Sequence, residues 1–194
     1  AELATACAAL DADDSVRVVV LGGRGKHFSA GADLNWMRQA ASASHEQNLE
    51  DARIFADMLR TLAHMSKPTI ARVQGAALGG GTGLTAACDM AVAASDAVFS
   101  TSEVKFGIIP SAISPYVLRA IGPRHALRYF QSAERIHAER ALAIGLVSEV
   151  VAPESLDTCL DQLVEALLQG GPLAKQAAKD LVGAVYAQPI DEKI

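Results

Sequence analysis

Aromatic side chains are scarce in this chain, at 5% of 194 residues, and there are only three cysteines. Cys7, Cys88 and Cys159 lie far apart, which suits a reducing compartment and offers no metal-ligand spacing. No basic run occurs and the formal net charge is -5, which argues against nucleic acid as the main partner. No segment has the length and flanks of a membrane span or the pattern of a signal peptide. No Walker or Rossmann glycine pattern occurs, so no nucleotide cofactor is expected. His27, His45, His64, His125 and His137 share no ligand spacing, so no metal is expected and each reads as a surface or helix-end residue. Ser111, Ser114 and Ser132 have no evident His/Asp partners, which excludes a recognisable serine triad. The chain starts at Ala1 instead of Met, so upstream residues, including any targeting segment, are expected to be missing.

What is present is a hydrophobic share of 51% against 20% charged residues, the balance of a globular chain long enough to bury a core. Residues 16–21 form a β-branched run that reads as a strand buried on both faces. Residues 69–73, 90–93, 97–100 and 147–151 read as further strands. Helical spacing of apolar residues predicts helices over 2–12, 34–40, 46–65, 82–88, 138–144, 155–168 and 173–185. A turn at 110 leads to a helix ending near 121, and another helix runs from 123 to 131. Strand and helix alternate, so the fold class is α/β with largely parallel strands. No repeat, linker or low-complexity tract interrupts them.

Two glycine-rich turns carry the chemistry. Phe28-Ser29-Ala30-Gly31-Ala32-Asp33 follows the first predicted strand, and Gly75-Ala76-Ala77-Leu78-Gly79-Gly80-Gly81 follows the second. Each opens a predicted helix, where free N–H groups carry partial positive charge. Small residues let a ligand approach the backbone. Two such turns brought together can clamp one developing negative oxygen. Taken singly, each turn reads equally as ordinary helix packing.

These turns, together with residues 102–110 and 138–151, resemble the crotonase (enoyl-CoA hydratase/isomerase) superfamily in order, spacing and context. The resemblance covers nearly the whole chain. It implies a crotonase-type spiral of ββα units over 1–130, and a helical C-terminal region over 131–194 that is truncated relative to the family. It implies an enolate intermediate held by the backbone N–H groups of Ala32 and Gly80. It places a catalytic glutamate at Glu103. The family's second acid/base glutamate falls on Gly83, a departure that leaves Glu103 alone to move protons, possible through one water. The reaction implied is hydration of a 2-enoyl-CoA. Isomerisation, decarboxylation, thioester hydrolysis or non-catalytic binding of a CoA thioester are the alternatives.

Within the superfamily, residues 29–37, Ile113-Ser114-Pro115-Tyr116 and Arg128-Tyr129-Phe130 resemble the methylglutaconyl-CoA and isohexenylglutaconyl-CoA hydratases of leucine and acyclic-terpene catabolism. A branched or glutaconyl-type acyl group is the substrate implied. CoA enters as the carrier of the substrate, with no cofactor. Lys26, helped by Arg24, is expected near the CoA phosphates, and Ala30 near the adenine. Asp33, Trp36 and Ser111 are further expected contacts, with Trp36 and Tyr116 shaping the acyl pocket. If the backbone at 103–105 is extended, Lys105 leaves the same face as Glu103, favouring its carboxylate or binding a distal carboxylate of the substrate. The family assembles as trimers, often paired into hexamers, and the same is expected here. Its location would be the bacterial cytoplasm, or the mitochondrial matrix in a eukaryote.

Overall fold

The computed structural model describes residues 2–31 and 33–186, and within these the side chains of Leu34, Trp36, Met37 and Ala41 are not described. Helix α1 (Glu2–Ala12) precedes strand β1 (Val19–Gly22), and helices α2 (Leu34–Ser42) and α3 (His45–Ala63) follow. The chain then runs through β2 (Thr69–Val73), β3 (Ala76–Leu78) and α4 (Gly80–Ala87). Next come β4 (Met90–Ala94), β5 (Val98–Ser100), a 3-10 turn at Glu103–Phe106 and α5 (Ser114–Ser132). Strand β6 (Ile136–His137), α6 (Ala138–Ala143), β7 (Glu149–Val151), α7 (Leu156–Gln169) and α8 (Pro172–Val185) complete it.

The strands divide between two sheets. One has the order β1-β2-β4-β7, all parallel; the other has the order β3-β5-β6, with β5 and β6 antiparallel. Each ββα passage gives one strand to each sheet: β2 then β3, β4 then β5. This is the spiral expected from the sequence, an α/β fold with a helical C-terminal region. Alternation along β2 explains how the first sheet serves two cores. Ala71 and Val73 face the main core, while Ile70 joins Val92, Leu156 and Leu160 beneath α7.

Two local differences have physical causes. Strand β1 is shorter than the predicted run and is not buried on both faces, since Val20 is 41% exposed. Helix α7 packs over β4 and leaves Val20 uncovered. Strands β3 and β6, each of three residues or fewer, are too short for an alternating pattern to declare itself. The two helices predicted on either side of residue 122 are present as the two halves of α5, separated where Gly122 takes a non-helical φ 72° and ψ 166° ahead of Pro123.

Helix α3 begins with a capping box, in which Ser44 accepts from the Gln47 N–H and Gln47 accepts from the Ser44 N–H. Its second half is buried through Met58, Leu59 and Leu62, whereas Leu49 and Ile54 in the first half are 41% and 45% exposed. That first half borders the cavity described next.

Candidate active site

The two glycine-rich turns meet. Phe28 N–H donates to the Gln74 carbonyl (2.9 Å), Ser29 N–H to Ala76 (3.0 Å), and Leu78 N–H back to Ser29 (2.9 Å). Ser29 and Ala77 thus form a parallel bridge between the turns. His27 adds a tie that sequence reading assigned to the surface: its half-buried ring accepts the Ala76 N–H at Nδ1, 3.0 Å away.

The second turn ends at the start of α4. Gly79 takes φ 53°, a left-handed conformation that a side chain would strain, and turns the chain into the helix. As the first helical residue, Gly80 has no intrahelical acceptor for its N–H. The N–H has no acceptor elsewhere among the described residues. The Thr82 hydroxyl fixes the helix behind it, donating to the carbonyls of Ala77 (2.7 Å) and Ser100 (3.1 Å). Gly80 is therefore a held donor facing a cavity. Ala32, the other expected donor, and the side chain of Trp36 lie outside the described residues.

That cavity, of about 430 Å³, brings Gly80, Glu103, Ser29, Gly31 and Ser111 together. Glu103 arrives from the end of β5, which is anchored by the Gly79 N–H on the Ser100 carbonyl (2.8 Å) and the Thr101 hydroxyl on the Tyr129 carbonyl (2.9 Å). Its Oε1 lies 3.5 Å from the place a Cβ on Gly79 would take. Its Oε2 is buried and has no hydrogen-bond partner among the described residues. Burial, the largest influence, pushes the Glu103 carboxyl above the usual carboxylate range, and its own backbone N–H pulls it back less strongly.

Lys105 does not do what the extended-backbone premise expected. Glu103–Phe106 is a 3-10 turn, in which residues two apart do not share a face. Lys105 is exposed and does not line the cavity. Its charge is absent from the influences on Glu103, which is raised rather than held as the carboxylate.

Gly83, where the resemblance expects a second glutamate, has a steric explanation. A Cβ there would lie 2.2 Å from Ile113 Cγ2 and 2.7 Å from Ile113 Cβ, contacts that no side chain can make without the neighbour moving. Ile113 is 1% exposed and lines the cavity. An isoleucine thus stands where the acid/base group is missing, and the absence is built into the packing.

The remaining expected contacts disperse. Lys26 and Ala30 are exposed on the first turn and its approach, outside the cavity. Asp33 caps α2 by accepting the Asn35 N–H at 2.7 Å and also lies outside the lining. Tyr116 packs against the main core and does not reach the cavity. Sequence reading missed Asn48, Asp51 and Ala52, which line the cavity with Phe55 from one stripe of α3. Their spacing of three and four residues was visible, but only the apolar members of α3 were followed. Cys88 is buried and pushed up to about 12, chiefly by desolvation, which leaves it an inert core thiol.

Among the described residues no helix is long and apolar enough to cross a membrane, and no group of three or more His, Cys, Asp or Glu side chains is placed to hold a metal.

Comparison with known proteins agrees with this geometry. The family model for Enoyl-CoA hydratase/isomerase matches residues 1–193. The chain is 36% identical to the crotonyl-CoA hydratase of Syntrophomonas wolfei, over 92% of this chain and 68% of that protein. It is 34% identical to the short-chain-enoyl-CoA hydratase of Clostridium acetobutylicum, over 94% and 69% respectively. The crystal structure of an enoyl-CoA hydratase from Shewanella pealeana superposes with a TM-score of 0.95 at 40% identity, covering 99% of this chain and 72% of that one. Matched by that family model over residues 1–193 and similar in sequence and fold to these proteins along almost its whole length, the chain belongs to the enoyl-CoA hydratase/isomerase family.

Proposed function

We propose that the protein hydrates a 2-enoyl-CoA thioester to a 3-hydroxyacyl-CoA, with Glu103 as the only protein group that moves protons. The observation that carries this reading is the placement of Glu103 and the free Gly80 N–H in one cavity. As water adds to C3, the Glu103 carboxylate accepts one of its protons and the C2=C3 electrons move onto the thioester oxygen. The Gly80 N–H, with the expected Ala32 N–H, stabilises that oxyanion more than the neutral thioester. The protonated Glu103 then returns the proton to C2, the carbonyl reforms, and the carboxylate is restored. Raising the Glu103 carboxyl strengthens it as a base, which suits this double role.

The lining suits an apolar acyl tail, the branched kind that the resemblance implies included. Phe55, Leu84, Ile108, Ile109 and Ile113 surround the cavity with apolar surface, and no lysine or arginine among the described residues lines it to meet a second carboxylate. CoA itself would run past the exposed Ala30 and Lys26. Self-assembly into trimers, or pairs of trimers, draws support from α8, where Leu173 is 80%, Val182 64% and Leu181 56% exposed.

Incubation with straight and branched 2-enoyl-CoAs tests the reading. A product heavier by one water with the thioester intact is expected, and Glu103→Gln should abolish it. Unchanged hydration by Glu103→Gln would sink the mechanism. The Gly83–Ile113 packing favours one second reading, a 1,3-proton shift in which Glu103 takes a proton from C2 of a 3-enoyl-CoA and returns it to C4 as the double bond moves to C2=C3. That reaction needs no second polar group to hold water, and its product keeps the substrate mass.

A further inference from the structure

We infer that Asp51 selects the acyl tail, making this site reject tails that end in a carboxylate. The inference rests on the acyl-CoA reading of the cavity and adds a residue that chooses among such thioesters. Asn48, Asp51, Ala52 and Phe55 form one stripe of α3 that borders the cavity. Phe55 marks the reacting end, because its Cζ lies 3.1 Å from the place a Cβ on Gly80 would take. Along a helix rising 1.5 Å per residue, Asp51 stands about 6 Å and Asn48 about 10 Å from Phe55. Both therefore border the far part of the cavity, where the tail of the acyl group would pass, away from the oxyanion donors.

That end offers negative charge and acceptors. Asp51 is exposed, and no hydrogen bond or ion pair engages its side chain among the described residues. Asn48 donates one Nδ2 hydrogen to the Ala40 carbonyl (3.0 Å), which leaves Oδ1 and the second amide hydrogen, and no full charge, at that position. Glu103 and Asp51 are the only ionisable side chains in the described lining, and both are acids. A terminal carboxylate entering here would meet like charge with no cation to offset it, a repulsive device of the kind that sets specificity. An uncharged tail meets no such opposition.

Saturated thioesters test this without chemistry at C2 and C3. Hexanoyl-CoA and adipoyl-CoA differ only in the terminal carboxylate, and calorimetry on the full chain gives their Kd values. The wild type is expected to bind hexanoyl-CoA about tenfold more tightly. Asp51→Asn should narrow that ratio severalfold by improving adipoyl-CoA alone, and Asp51→Lys should reverse it. Added salt should narrow the wild-type ratio, because the charge is exposed. Circular dichroism and a cooperative thermal transition like that of the wild type report that both variants fold, and each ratio is read against the same protein's hexanoyl-CoA Kd. A ratio unaltered by Asp51→Asn, or a wild type that prefers adipoyl-CoA, would overturn the role of Asp51 and leave the acyl-CoA reading standing. Failure of the wild type to bind either thioester would overturn both.

Discussion

At one place in the cavity lining, Glu103 keeps a buried carboxyl oxygen with no partner among the described residues; at another, Ile113 fills the space that a second acid/base side chain would need. The first arrangement is costly, since an unsatisfied buried acceptor forfeits about 1–3 kcal/mol. The second is favourable packing. A fold keeps a costly group where chemistry requires it, and it fills with hydrocarbon a position where chemistry does not. The comparison therefore points to one proton-transfer group and not to a damaged pair.

The largest expected effect breaks the first side. Glu103→Gln should lower turnover by at least about 10²-fold. The melting temperature should hold or rise, because the amide has no charge to desolvate. Equal loss of activity and stability would mean that Glu103 is structural.

On the other side, Gly83→Ala should destabilise by about 1–3 kcal/mol through overpacking, and Ile113→Ala by about 2–5 kcal/mol through the void it leaves. Combined, the two should cost less than their sum, because the new methyl enters the vacated space. Urea unfolding of all four proteins of the cycle measures this coupling. Strict additivity would show that the 2.2 Å approach does not constrain the native packing.

Replacing His27 by Ala should cost about 1–3 kcal/mol by leaving the Ala76 N–H without its acceptor. Because that bond ties the two turns, KM and kcat should both worsen, and the Glu103 ionisation should not move. The smallest effect serves as a control. Lys179 pairs with Asp89 at 2.9 Å, with both side chains 21% exposed. Lys179→Met should cost about 0.5–1 kcal/mol and leave turnover unchanged.

Much of this was legible in the sequence. The period of apolar residues gave α3, α7 and α8 to within a residue or two, and short, mostly apolar runs gave β2 and β4. The paired turns were visible in their small residues, and Glu103 followed from a resemblance spread over the chain. Strands β3 and β6 were hidden because two or three residues carry no pattern. Lys105 went astray because face-sharing was inferred from an extended backbone where the chain makes a 3-10 turn. The Gly83–Ile113 contact joins residues 30 apart, and only the tertiary fold brings them together. Asp51 was passed over because an exposed acid on a helix reads as solvated until a cavity is found beside it.

The raised Glu103 carboxyl fixes the sign of two pH effects. The folded protein holds this proton more tightly than the unfolded chain does. Its contribution to stability is therefore full below the ordinary glutamate value and is lost as pH rises through the elevated one. Catalysis runs the other way, because accepting a proton from water requires the carboxylate. The most direct test of a single proton-transfer group is the pH dependence of kcat/KM for hydration by the wild type. One limb is expected, rising with pH through a single ionisation above the usual carboxylate range and then level until the protein unfolds. A bell with two ionisations would reveal a second acid/base group in the protein and contradict the account.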